Sequence, residues 1–166
     1  MIASNQNSGS VRRILGTLTL AALVEQLPWA GWALALRPDF LLVAVLYWAL
    51  HQPNRVGFGV AFFFGLLADF QDGAVFGQYA IAYVIGIYMV QFLRLRLLQF
   101  DPFRQSAQMF PILLTVQLLV LLVGWLAVNP PANLLLLLPA FSSTVLWLGV
   151  AAILCMWHGR SLRDQA

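Results

Sequence analysis

The chain has 166 residues, 61% of them hydrophobic and 9% charged, with nine arginines, no lysine and a formal net charge of +3. A soluble domain spreads about a quarter of its residues as charge over its surface, so this composition excludes an ordinary water-soluble globule and points to lipid as the solvent. The length is about one domain's worth, with no room for a separate soluble catalytic module, and the basic balance reads as arginine at a lipid surface rather than a nucleic-acid footprint.

Residues 1–10 are rich in Ser, Asn and Gln and read as a disordered cytoplasmic lead-in. They are not expected to be part of a cleaved signal peptide, because no small-residue cleavage site follows the apolar stretch. A single transmembrane domain over 11–158 then contains six hydrophobic segments, at about 14–36, 40–50, 56–70, 76–93, 106–128 and 134–157. The first, fifth and sixth reach the ~20 residues a bilayer requires. The second gives only about 17 Å of helix, so burial against neighbours or local bilayer thinning must cover the rest; a re-entrant second and third segment is the alternative. From Gln105 up to Arg160 there is no Arg, Asp or Glu, and this long stretch must turn once. Asn129-Pro130-Pro131-Ala132-Asn133 supplies the turn, since paired prolines stop a helix. Residues 159–166 form a cytoplasmic tail. The fold expected is an all-α membrane protein, a six-helix polytopic bundle.

Orientation follows from the arginines. With the N-terminus inside, Arg12, Arg13, Arg55, Arg94, Arg96, Arg104, Arg160 and Arg163 all fall on the cytoplasmic side, and Arg37 alone lies outside with Asp39, Asp69 and Asp72. An N-in, C-in topology is therefore expected. Arg94, Arg96 and Arg104 form a basic rim suited to anionic lipid. Trp29, Trp32, Trp48, Trp125 and Trp157 lie near segment ends and are expected at the headgroup boundary. Glycines 57, 59, 65, 73, 77 and 86 read as close-packing points between helices.

Catalytic constellations are not evident. His51 and His158 have no second ligand at metal spacing, Cys155 reads as a small apolar residue, and there is no Walker loop or Gly-x-Ser-x-Gly elbow. No cofactor or metal is expected. Two polar groupings stand out. Arg37 with Pro38, Asp39, Asp69 and Asp72 gathers at the outer ends of the opening spans, and Asp69, inside an apolar run, needs a counter-charge or hydrogen-bond donors. The grouping is either a clasp tying the second span to the third or a recognition surface for a periplasmic partner or ligand. Glu25 with Gln26 forms the second. In a helix running to residue 36, Glu25 lies near mid-depth, level with Gln117 and with Thr115 or Ser143; in a helix ending near Pro28-Trp29 it lies at the outer interface.

Arg37-Pro38-Asp39-Phe40, Tyr47-Trp48-Ala49-Leu50, Pro53-x-Arg55-Val56-Gly57, Gly65-Leu66-Leu67-x-Asp69 and Gly73 followed by Phe76-Gly77, with Pro28-Trp29 ahead of them, occur in one order and spacing. That combination resembles the MreD family of rod shape-determining proteins over about 28–91, and the remainder agrees in size and hydropathy. The resemblance implies a non-enzymatic inner-membrane part of the bacterial elongation machinery, acting with MreC, the actin-like MreB and the lateral-wall peptidoglycan synthases. It also implies a fold like the substrate-binding subunits of energy-coupling-factor transporters. Gln71-Asp72 departs from the family pattern, which is apolar there, and leaves the depth of the third span's outer end open. Two functional readings follow. One is a scaffold presenting packed helices to a single-span partner such as MreC. The other is a small-molecule-binding transport subunit, which requires a polar cavity lined by Glu25, Gln26 and Gln117.

Overall fold

The computed structural model describes residues 3–27, 30–31, 36–128 and 137–163, with side chains described within 11–150 apart from Pro102. Among the described residues the chain forms six helices and no strand: α1 (Ala3–Glu25), α2 (Phe40–His51), α3 (Phe58–Asp72), α4 (Gln78–Leu97), α5 (Pro102–Val128) and α6 (Leu138–Arg163).

The short second helix is the centre of the bundle. Every residue of α2 from Leu41 to Leu50 except Ala44 is buried. A helix that is apolar all round belongs inside a protein or a membrane, and here α1, α3, α4 and α6 surround it. Its 12 residues span about 18 Å, and burial against neighbours relieves it of having to match the bilayer with its own flanks. Contacts along its length fix the packing directions. Glu25 lies by Leu41 and Thr17 by Trp48, so α1 runs antiparallel to α2. Tyr83 meets Asp39 while Arg94 meets Leu50, so α4 runs parallel to it.

Helices α3 and α4 form a tight antiparallel hairpin. A Cβ at Gly65 would sit 2.8 Å from the backbone nitrogen of Ala80, a contact only glycine permits. The turn between them needs left-handed backbone at Gly73 (φ 61°) and Gly77 (φ 94°). Gly86 and Gly124 also lie close to neighbours, against Val116 and Gln78. Gly57, Gly59, Gly73 and Gly77 have open space where a Cβ would go. The expected packing role therefore holds at Gly65 and Gly86, and turn geometry explains Gly73 and Gly77.

The outer surface is apolar. Phe70, Phe76 and Phe92 are each at least 77% exposed, and Leu23, Phe63, Leu95, Leu126 and Val145 join them on five different helices. Soluble monomers rarely expose such continuous apolar surface, whereas lipid-facing helices do. By length and composition α4 (20 residues) and residues Phe103–Ala127 of α5 (25 residues) suffice to cross a membrane.

Helix α1 differs from expectation at both ends. It starts at Ala3, inside the stretch expected to be a disordered lead-in, because that stretch has no proline and can extend a helix already formed by the apolar residues after it. It stops at Glu25 rather than near residue 36. Gln26 and Leu27 close it with i−3 bonds to Leu23 and Val24, and Pro28 disfavours helical backbone in the residue before it. Trp48 is buried, its indole Nε1 donating to Thr17 Oγ1 at 2.7 Å, so it is a core residue and not a headgroup anchor. Trp125 is 52% exposed, as an interfacial tryptophan requires. The turn expected at 129–133, Trp29, Trp32 and the side chains of Cys155, Trp157, His158, Arg160 and Arg163 lie outside the described residues.

Candidate functional site

At the end of the bundle where α1, α3 and α5 finish and α2, α4 and α6 begin, a cavity of about 390 Å³ opens between the helices. It is lined by Glu25, Arg37, Asp39, Ala68, Asp72, Tyr79, Tyr83, Gln117 and Pro139. Five of the residues singled out from the sequence, Glu25, Arg37, Asp39, Asp72 and Gln117, thus share one space. Pro38 lies between two of them in the chain, and Asp69 stands behind the wall.

The acids are placed by helix ends. The first amides of any helix lack intrahelical acceptors and carry partial positive charge, so a carboxylate is stabilised there. Asp39 caps α2: its Oδ1 accepts the Leu42 N–H at 2.7 Å. The same oxygen accepts the Tyr83 hydroxyl at 2.7 Å, and the Asp39 backbone N–H donates to Ser143 Oγ at 2.9 Å. One residue thereby ties α2 to α4 and α6. Glu25 reaches the same helix start from α1, its Oε1 accepting the Leu41 N–H at 3.1 Å. Helix α1 ends at Glu25, so of the two placements considered the shorter helix holds, and the side chain is 5% exposed.

Asp69 performs the equivalent task for α4. Its Oδ2 accepts the Gly77 N–H at 2.8 Å and its Oδ1 the Tyr79 N–H at 2.7 Å. These donors answer the need of a carboxylate that is 1% exposed. Arg37, considered as its counter-charge, instead pairs with Asp72, NH2 to Oδ1 at 2.8 Å. Asp69 is nearer the middle of α3 and turned towards the α4 start, while Asp72 in the last turn faces the α1–α2 connection. Burial alone would lower the Arg37 pKa, but the adjacent Asp72 carboxylate and its hydrogen bond outweigh this and hold the guanidinium above its usual value. An ion pair thus joins the α1–α2 connection to the end of α3, with Asp72 as its acidic half. Gln71, its neighbour, donates to the Ala22 carbonyl at 3.2 Å and links α3 to α1.

Tyr79 and Tyr83 were not singled out in the sequence. Their spacing of one helical turn in Gln78-Tyr79-Ala80-Ile81-Ala82-Tyr83 puts both hydroxyl-bearing rings on one face of α4, the signal that would have found them. The basic rim lies at the other end of the bundle. Arg94 donates from Nε to the Leu50 carbonyl at 2.8 Å and so caps the end of α2, while Arg96 and Arg104 are exposed. Among the described residues no three His, Cys, Asp or Glu side chains are grouped to hold a metal ion.

The chain matches the family described as rod shape-determining protein MreD over residues 10–158. It is 29% identical over 134 residues to the rod shape-determining protein MreD of Haemophilus influenzae, covering 81% of this chain and 83% of that protein. No solved structure matches the chain. A family match over residues 10–158, spanning nearly the whole helical bundle, establishes that the chain belongs to the MreD family of rod shape-determining proteins.

Proposed function

We propose that this protein is a non-enzymatic, multi-pass scaffold of the bacterial inner membrane that supports rod shape and lateral wall synthesis by holding an MreC-like single-span partner. MreB and the lateral-wall peptidoglycan synthases would join the same assembly. The family is a structural, membrane-associated one concerned with rod shape, which supports the coarse role directly. The observation that carries the finer reading is how the polar groups are used. Asp39, Glu25 and Asp69 accept from backbone amides at helix starts, and Arg37 and Asp72 pair with each other. Charges committed to backbone make a stiff bundle, and a stiff bundle with an apolar exterior suits close packing of a neighbour's helix.

The orientation in this reading is N-in, C-in, supported by the arginine count on each side, with 159–166 a cytoplasmic tail and one transmembrane domain between. The six helices are proposed to be arranged as in the substrate-binding subunits of energy-coupling-factor transporters. The transport role itself gains no support, since both comparisons name shape determination. Depleting the protein in a rod-shaped host should give rounded cells, and a single-span, coiled-coil partner should co-purify with it. Unchanged rods, or purification without such a partner, would contradict the proposal.

A further inference from the structure

The cavity has a charge imbalance that the scaffold role does not use. Three carboxyl groups and one guanidinium line it, and that guanidinium is engaged with Asp72. Glu25, 95% removed from solvent contact, has one oxygen on the Leu41 amide, and it lines the same cavity as Asp39. Two carboxyls that share one partly buried cavity are relieved either by a shared proton or by a cation beside them. Space for a cation is present, and Tyr79 and Tyr83 add aromatic walls of the kind that attract ammonium groups. The tyrosine walls suit an organic ammonium.

A second cavity tells what the cation is attached to. A groove of about 250 Å³ runs between α1, α2 and α6, with walls that include Leu20, Val24, Phe40, Tyr47, Leu146 and Val150. Its upper wall is Val24 and Phe40, the immediate chain neighbours of Glu25 and Asp39 in the polar cavity. An apolar channel on one side of the α1–α2 contact thus abuts an acidic chamber on the other. From Thr17 to Val24 the groove follows α1 for about 10 Å, enough for part of an acyl chain.

We propose that the two cavities together bind one aminolipid, its acyl chain in the groove and its primary ammonium between Glu25, Asp39 and the two tyrosines. The shared chemistry is a primary ammonium; a soluble amine is the other source. The proposal does not rest on the scaffold reading.

The test uses the full chain in nanodiscs of phosphatidylcholine containing phosphatidylethanolamine, extracted and examined by native mass spectrometry. The expected result is one retained phosphatidylethanolamine per chain, preferred about tenfold over phosphatidylcholine, whose quaternary headgroup has no N–H to donate. Glu25→Gln, which keeps the acceptor for Leu41, should abolish the preference with the melting temperature unchanged. Ala21→Phe should fill the groove and reduce lipid retention while leaving binding of free ethanolamine intact. Free ethanolamine bound without lipid preference would assign the site to a soluble amine. Equal retention of both lipids together with no ethanolamine binding would overturn the proposal, and an infrared band of a protonated carboxylic acid lost in Glu25→Gln would then show that a proton closes the pair. Should Glu25→Gln fail to fold, the lipid comparison on the unaltered chain decides alone.

Discussion

The two ends of α2 solve opposite electrostatic problems with opposite charges. At its start, buried amides meet Asp39 and Glu25; at its finish, the Leu50 carbonyl meets Arg94. Acid at the positive end and guanidinium at the negative end is what the helix dipole favours. The ends differ in depth of commitment. The acidic end is knotted into α1, α4 and α6 through side-chain bonds to backbone or hydroxyl groups, whereas Arg96 and Arg104 at the basic end are exposed. One end is therefore expected to govern stability and the other to govern contact with the lipid surface.

The largest effects should follow from orphaning buried amides at the acidic end. Asp69→Ala removes the acceptor of both Gly77 and Tyr79 and should cost about 2–4 kcal/mol, read as loss of melting temperature in a fixed detergent. Asp39→Ala loses a helix cap and the Tyr83 bond and should cost about 2–3 kcal/mol, with Asp39→Asn recovering part of it. If either loss is no larger than that of an arginine at the opposite end, the contrast fails.

Smaller is the ion pair. In a double-mutant cycle Arg37→Gln and Asp72→Asn should be non-additive by about 0.5–1 kcal/mol, whereas Arg37→Gln and Asp69→Asn should add. Coupling to Asp69 in place of Asp72 would contradict the pairing. At the basic end, Arg94→Ala should cost about 1 kcal/mol of stability. Arg96→Ala and Arg104→Ala should leave the stability within about 0.5 kcal/mol of the parent, and each should weaken attraction to anionic vesicles by about 1 kcal/mol.

Much of this contrast was legible in the sequence. Charge placement between apolar runs located four helices closely: segments expected at 40–50, 56–70, 76–93 and 106–128 correspond to Phe40–His51, Phe58–Asp72, Gln78–Leu97 and Pro102–Val128. The cavity residues were also legible as types, because a charged residue inside or beside an apolar run demands a partner. Which partner was not legible. Arg37 chose Asp72 over Asp69 through the turn geometry of Gly73 and Gly77, which sends Asp69 to the α4 amides. The end of α1 was ambiguous because Val24 to Leu36 is apolar enough to continue a helix while Pro28 and Gly31 oppose it, and only the packing of Glu25 onto Leu41 decides. Trp48 misled for a similar reason: its place near a segment end suggested the headgroups, but a central helix has no lipid-facing end.

The central proposal is that this bundle sits in lipid with its acidic cavity facing outward and every arginine but Arg37 facing inward. Labelling intact cells with a membrane-impermeant maleimide tests it, using Val75→Cys at the cavity end and Gln99→Cys at the arginine end in a Cys155→Ser background. The account predicts that the first reacts from outside and the second only after the membrane is opened. Reversed accessibility, or equal labelling of both before opening, would contradict it.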